Sequence, residues 1–159
     1  MQLRPYSPPD AGAVLALNQG ALDAVSGLDG ARLDTLVGLS DRTVVVGADG
    51  TLAGFALVFA PGCAYDSVNY AWFGERYDDF RYIDRVVVAP THRRRGVGTL
   101  LYDHVEEAAR PAGRMACEVY ADPPNIASLG FHAVRGYVDV GRLAQTGGKT
   151  CAMLVKELG

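Results

Sequence analysis

Three consecutive arginines, Arg93, Arg94 and Arg95, lead into Gly96, Val97 and Gly98. Guanidinium groups pair well with phosphate oxygens, and a glycine-rich turn that feeds a helix bares backbone N–H groups at the positive end of the helix dipole. Residue types in this order make an anion site, and the arginines point to phosphate. The turn is not a P-loop, because no Lys follows a paired glycine at the required spacing. It is a poor dinucleotide fingerprint as well, since Leu101 stands where a third glycine belongs. A second trace of a P-loop, Gly148-Lys149-Thr150, fails too: Leu143 occupies the position of its first glycine and no helix follows.

The neighbouring elements must hold this turn in place. Before it, Tyr82, Ile83, Val86, Val87 and Val88 read as a strand that Ala89-Pro90 stops. The two-residue period puts Tyr82, Asp84, Val86 and Val88 on one face. After it, Val97, Leu100, Leu101, His104, Val105 and Ala108 recur at helical spacing. In that setting Arg93-Arg94-Arg95-Gly96-Val97-Gly98 resembles the R-x-x-G-x-G motif of the GCN5-related N-acetyltransferase (GNAT) superfamily. A later stretch, NIASLGFHAVRGY at residues 125–137, resembles that family's second motif, with Asn125, Ser128, His132, Gly136 and Tyr137 on its positions. It departs at His132, where many members carry Tyr.

The resemblance implies an α/β (α+β) fold: a mixed, mostly antiparallel sheet of about seven strands flanked by about four helices. It implies acetyl-CoA as co-substrate, lying between splayed strands 82–89 and 115–121. Backbone groups of Val86, Val87 and Val88 would pair with the pantetheine arm. Arg93, Arg94, Arg95, Gly96, Val97, Gly98 and Thr99 would hold the pyrophosphate, with Asn125, Ser128, Phe131 and His132 beside the cofactor. The family's amine attacks the thioester directly. That chemistry needs a base for the amine, and Asp84 and Glu118 are the candidates, a salt bridge from Asp84 to Arg81 or Arg85 being the competing reading. It needs an oxyanion donor, here a backbone N–H near Val87 or Val88. It also needs a proton for the leaving thiolate, for which His132 stands in the family's Tyr position, with Tyr82, Tyr120 and Tyr137 as substitutes.

The rest of the chain agrees in element order. Residues 1–6 read as a strand, Asp10 and Asp29 as caps of two helices, and residues 43–59 as a hairpin turning at 47–50. Residues 62–80 concentrate aromatics, among them Tyr65, Tyr70, Trp72 and Phe73. They read equally as a substrate-facing lid, with Tyr70, Trp72 and Tyr82 contacting the acceptor, or as a short helix whose rings form a satellite core. A strand at 115–120, a helix ending at Gly136 and a hairpin at 137–158 complete the order.

At 159 residues the chain suits one domain, 1–159, with a sizeable core. A net charge of −3 implies no general nucleic-acid surface. Cys63, Cys117 and Cys151 form no metal or disulfide spacing, so no metal is expected and the reducing cytoplasm is the expected compartment. No apolar run is long enough for a membrane span. The expected partners are acetyl-CoA and a small amine-bearing acceptor, with a homodimer left open. Two other readings stand beside the enzyme: a coenzyme-A-binding sensor without turnover, and a nucleotide-binding domain with a mainly parallel sheet.

Overall fold

In the computed structural model, which describes residues 1–159, the patterns become β1 (Gln2–Pro5), α1 (Ala11–Gln19), α2 (Gly30–Leu39), β2 (Arg42–Ala48) and β3 (Thr51–Phe59). There follow α3 (Val68–Gly74), β4 (Arg81–Val88), α4 (Val97–Ala109), β5 (Arg114–Asp122), α5 (Ile126–Val134), β6 (Val138–Ala144) and β7 (Thr150–Glu157). The strands form one seven-stranded sheet in the order β1-β2-β3-β4-β5-β7-β6. Every neighbouring pair is antiparallel except β4 and β5. A single parallel pair rules out a mainly parallel nucleotide-binding sheet.

Local chemistry sets the boundaries. Asp49 and Gly50 take positive φ, 54° and 76°. That is the two-residue hairpin turn favoured by Asp-Gly, so β2 and β3 are longer than their sequence pattern suggests. Asp29 caps α2 by accepting from Arg32 N–H at 2.7 Å. Gly136, at φ 93°, ends α5 in the left-handed conformation.

The sheet is covered on both sides. One apolar cluster joins Val44, Val46 and Ala56 to Val97, Leu101 and Val105 of α4. On the opposite face Val45, Phe55 and Val87 meet Val14 of α1 and Leu33 of α2. Beside them Leu57, Phe59 and Tyr82 meet Tyr70 and Phe73 of α3. The helix beyond the four expected, α3, is the short helix that residues 62–80 allowed.

Two features of β4 shape the site. The first is a bulge: Leu57 pairs with Arg85 but Val58 pairs with Ile83, so Asp84 is an extra residue in the ladder. The simple alternation expected from sequence therefore fails. Tyr82 and Val87 pack on the α1–α3 side, whereas Val86 and Val88 join Ile83 on the α4 side. The second is a seam: β4 and β5 pair only at Arg81↔Met115 and Tyr82↔Ala116 and then diverge. From Ile83 onward the β5-facing edge of β4 has no strand beside it.

Candidate active site

The divergence of β4 and β5 opens a cleft of about 470 Å³ that passes through the sheet. Asn125, Ser128, His132 and Tyr102 line it on the α4–α5 side; Tyr65, Asn69, Glu118 and Gln145 line it on the other.

At the far end of the open β4 edge stands the basic turn. Arg93, Arg94, Arg95 and Gly96 are exposed. Arg94 and Gly96 take positive φ, 59° and 83°, which folds the chain sharply into α4. No side chain caps this helix, and the first N–H to bond back is that of Leu100, on Gly96 O at 2.9 Å. The N–H groups of Val97, Gly98 and Thr99 are thus unpaired beside three guanidinium groups. Gly54 of β3 lets α4 sit this close: a Cβ there would lie 2.8 Å from Val87 O and 3.0 Å from Val97 Cγ1. An unpaired strand edge that leads to an uncapped, arginine-flanked helix start fits an extended, amide-bearing chain that ends in phosphates.

Glu118 lies on the floor of the cleft. Its carboxylate accepts from Tyr82 Oη at 2.8 and 2.7 Å and from Asn69 Nδ2 at 3.1 Å. The residue is half-buried and lines the cleft. Desolvation, with Asp84 nearby, outweighs both hydrogen bonds and pushes Glu118 up to about 8. A carboxyl tuned that high can take a proton from an ammonium group near neutral pH.

Asp84 is otherwise engaged. It forms a buried ion pair with Arg85 Nε at 2.6 Å, the two side chains being 6% and 3% exposed, and it accepts from Tyr65 Oη. Arg85 gives three of its four remaining donors to Asn18 Oδ1 at 3.0 Å, Ser26 O at 2.9 Å and Ser26 Oγ at 2.9 Å. This cation fastens the α1–α2 connection over the cleft. Of the two readings of Asp84, the geometry favours the salt bridge over the base.

His132 is buried on the α4–α5 side of the cleft, but its protons are not where an acid needs them. Nδ1 lies 2.7 Å from Ser128 O, and a carbonyl can only accept, so Nδ1 carries the proton. Nε2, 2.7 Å from Tyr102 Oη, is therefore the acceptor and Tyr102 the donor. Burial holds the imidazole below its ordinary range, so the ring is neutral. Burial raises the Tyr102 hydroxyl well above the ordinary phenol range.

Four further expectations are corrected. Tyr70 faces the core: its hydroxyl donates to Ala60 O and accepts from Cys63 N–H at 3.2 Å. Trp72 lies against the far edge of the sheet, where a Cβ on Gly141 would be 2.6 Å from its Cζ2. Tyr82 is fully buried and meets Glu118 rather than open cleft. Tyr137 cannot stand in for the acid, because its hydroxyl donates to Glu106 Oε1 at 3.0 Å. Asn125 caps α5 through Ser128 N–H at 3.2 Å, and Phe131 lies edge-on to Tyr102. The reading from sequence missed Asn69, Tyr102 and Gln145 as cleft residues. Only Tyr102 had a signal, one helical turn before Glu106 on the buried face of α4.

A profile of the acetyltransferase (GNAT) family matches residues 27–137. The streptothricin acetyltransferase of Streptomyces lavendulae is 32% identical over 118 residues, which is 74% of this chain and 51% of that protein. The chain thus spans about half the length of the curated relative it matches. Ard1 from Thermoplasma volcanium superposes with a TM-score of 0.78 at 20% identity, covering 99% of this chain and 97% of that one. The yncA protein of Salmonella typhimurium, solved with its cofactor acetyl-CoA, gives a TM-score of 0.73 at 19% identity over 100% and 94% of the two chains. These two likenesses extend the shared fold over the whole chain.

Proposed function

The chain belongs to the acetyltransferase (GNAT) family, and from that premise we propose that it is an N-acetyltransferase moving the acetyl group of acetyl-CoA directly to a primary amine, that of a small molecule or a peptide N-terminus. The observation that carries this reading is the cleft where β4 and β5 diverge: the open edge of β4 leads to the uncapped, arginine-flanked start of α4, and Glu118 lines the same cleft on its other side. The printed name of one relative, streptothricin acetyltransferase, supports an acceptor of small size.

The reaction divides among named groups. The basic turn and the first N–H groups of α4 hold the diphosphate, and the Val86–Val88 edge aligns the arm. Glu118 in its ionised form takes a proton from the acceptor ammonium. The freed nitrogen lone pair attacks the thioester carbon, and a backbone N–H near Val87 or Val88 donates to the oxygen as negative charge develops on it. The C–N bond forms, the nitrogen gives up its second proton to solvent, the C–S bond breaks, and the sulfur leaves as thiolate. Tyr102 turns its O–H from His132 Nε2 towards that sulfur. A phenol raised well above the leaving thiol's ordinary value of about 8.5 supports the charge by a hydrogen bond, and solvent then delivers the proton.

Calorimetric titration with acetyl-CoA and a thiol-release assay over a panel of primary amines test the proposal. kcat/KM is expected to rise with pH through about 8, the ionisation of Glu118. Glu118→Gln is expected to remove that rise and lower turnover by about 10²–10⁴-fold. Folded protein that takes up no acetyl-CoA overturns the reading. The absence of a free acid beside the thiolate position favours one alternative, a coenzyme-A-binding sensor; it predicts heat without thiol release.

A further inference from the structure

Glu118 is held by a residue that is itself held from the other end of the molecule. Asn69, on the cleft side of α3, donates Nδ2 to Glu118 Oε1 at 3.1 Å and to Gln145 Oε1 at 3.2 Å. Gln145, just beyond β6 in the β6–β7 turn, returns a bond from Nε2 to Asn69 Oδ1 at 2.8 Å and gives a second to Leu143 O at 3.2 Å. Each amide carries two N–H donors, and here all four have acceptors. Neither amide can turn over without setting carbonyl oxygen against carboxylate or carbonyl. The pair therefore has one orientation, and that orientation offers Glu118 a donor.

The other groups around Glu118 explain why that donor matters. Tyr82 and Asp84 of β4, Tyr120 of β5, Cys151 of β7 and Tyr65 from the segment before α3 lie near it, while Cys117 and Tyr102 belong to the α4 side of the sheet. Every one is neutral or negative when it titrates. Among the hydrogen bonds Glu118 makes, only Asn69 and Tyr82 supply side-chain donors. The Tyr82 hydroxyl can donate or accept, but Asn69 Nδ2 can only donate, and an N–H donor binds a carboxylate more strongly than a neutral carboxyl, so Asn69 suits the ionised form.

We propose that Asn69, locked in one orientation by Gln145, is a positioning residue for proton abstraction: it aims the Glu118 carboxylate and favours its ionised form, and so brings the β6–β7 turn into the reacting end of the cleft. The inference rests on Glu118 serving as the base. Removing the donor leaves desolvation and Asp84 less opposed, so the carboxyl holds its proton to higher pH. Replacing the amide by an isosteric acid adds a like charge and does so more strongly.

The test reads the carboxyl directly and the reaction separately. Protein carrying 13C-labelled glutamate side-chain carboxyls is titrated by NMR, with Glu118→Gln identifying the signal, for wild type, Asn69→Leu, Asn69→Asp and Gln145→Leu. The Glu118 midpoint is expected to move to higher pH by about one unit in Asn69→Leu, further in Asn69→Asp and less in Gln145→Leu. The rising limb of kcat/KM, measured with acetyl-CoA and whichever panel amine releases thiol, should move with it. At neutral pH that is a loss of about tenfold, recovered at high pH, with the acetyl-CoA KM unchanged. A midpoint that stays in place in both Asn69 variants overturns the inference. A midpoint that moves while the rate limb does not removes Glu118 as the base, and the inference falls with that assignment.

Discussion

His132 and Tyr102 act as one unit, because each has its only mobile hydrogen bond on the other. Tyr102→Phe and His132→Ala should each lower kcat by about 10–150-fold, the worth of a hydrogen bond to a charged group, about 1.5–3 kcal/mol. Acetyl-CoA KM should change little, and the double variant should be no slower than the slower single, which steady-state kinetics on all four proteins will show. At this scale the sequence was informative about position and poor on proton location. His132 was legible as a cleft residue because its spacing from Asn125 follows a family motif. Its tautomer depends on Ser128 O and on Tyr102, thirty residues earlier, and no local pattern announces a partner that distant. Glu118 was a candidate of unknown face for the same reason: Tyr82 and Asn69 reach it from two other elements.

Among the elements, α4 carries the anion turn, and its height above the sheet is set by the missing side chain at Gly54. Gly54→Ala brings a Cβ to 2.8 Å from Val87 O, a backbone atom that cannot give way cheaply. The variant should lose about 1–3 kcal/mol of stability by overpacking, read in a urea melt. Because Val97 is the second atom struck, at 3.0 Å, acetyl-CoA affinity should weaken as well. Strand and helix order was readable from period, caps and turn residues. The bulge at Asp84 was not, since it arises from how β4 pairs with β3 and the sequence of β4 alone fits an unbroken alternation. Residues 62–80 form the short helix with a satellite core, one of the two readings their composition allowed. Tyr70, Phe73 and Phe80 fill a core, while Tyr65 and Asn69 face the cleft.

Taken as a whole, the molecule should answer pH with two opposite trends. Glu106, where Arg135, Lys156 and Tyr137 converge from α5 and β7, is desolvated, but its hydrogen bonds outweigh this and leave it below its ordinary 4.5. The Arg4 guanidinium and Ser7 hold Asp10 down to about 2. Stability from both is present above their unfolded values and fades as acid protonates them. Glu118 has the reverse sign: its folded value of about 8 lies above 4.5, so stability declines as pH rises between those limits. Calorimetric melting across pH should therefore show a maximum on the acid side of neutrality. Glu106→Gln should blunt the acid limb and Glu118→Gln should flatten the decline towards pH 8. No helix is long and apolar enough to cross a membrane.

The seam between β4 and β5, closed by two residue pairs and no more, gives the sheet a built-in line of weakness. Its two halves are riveted at one corner, and a guest laid along the gap supplies the rungs the ladder lacks. Tenacity under load and occupancy of the cleft then become two readings of one quantity.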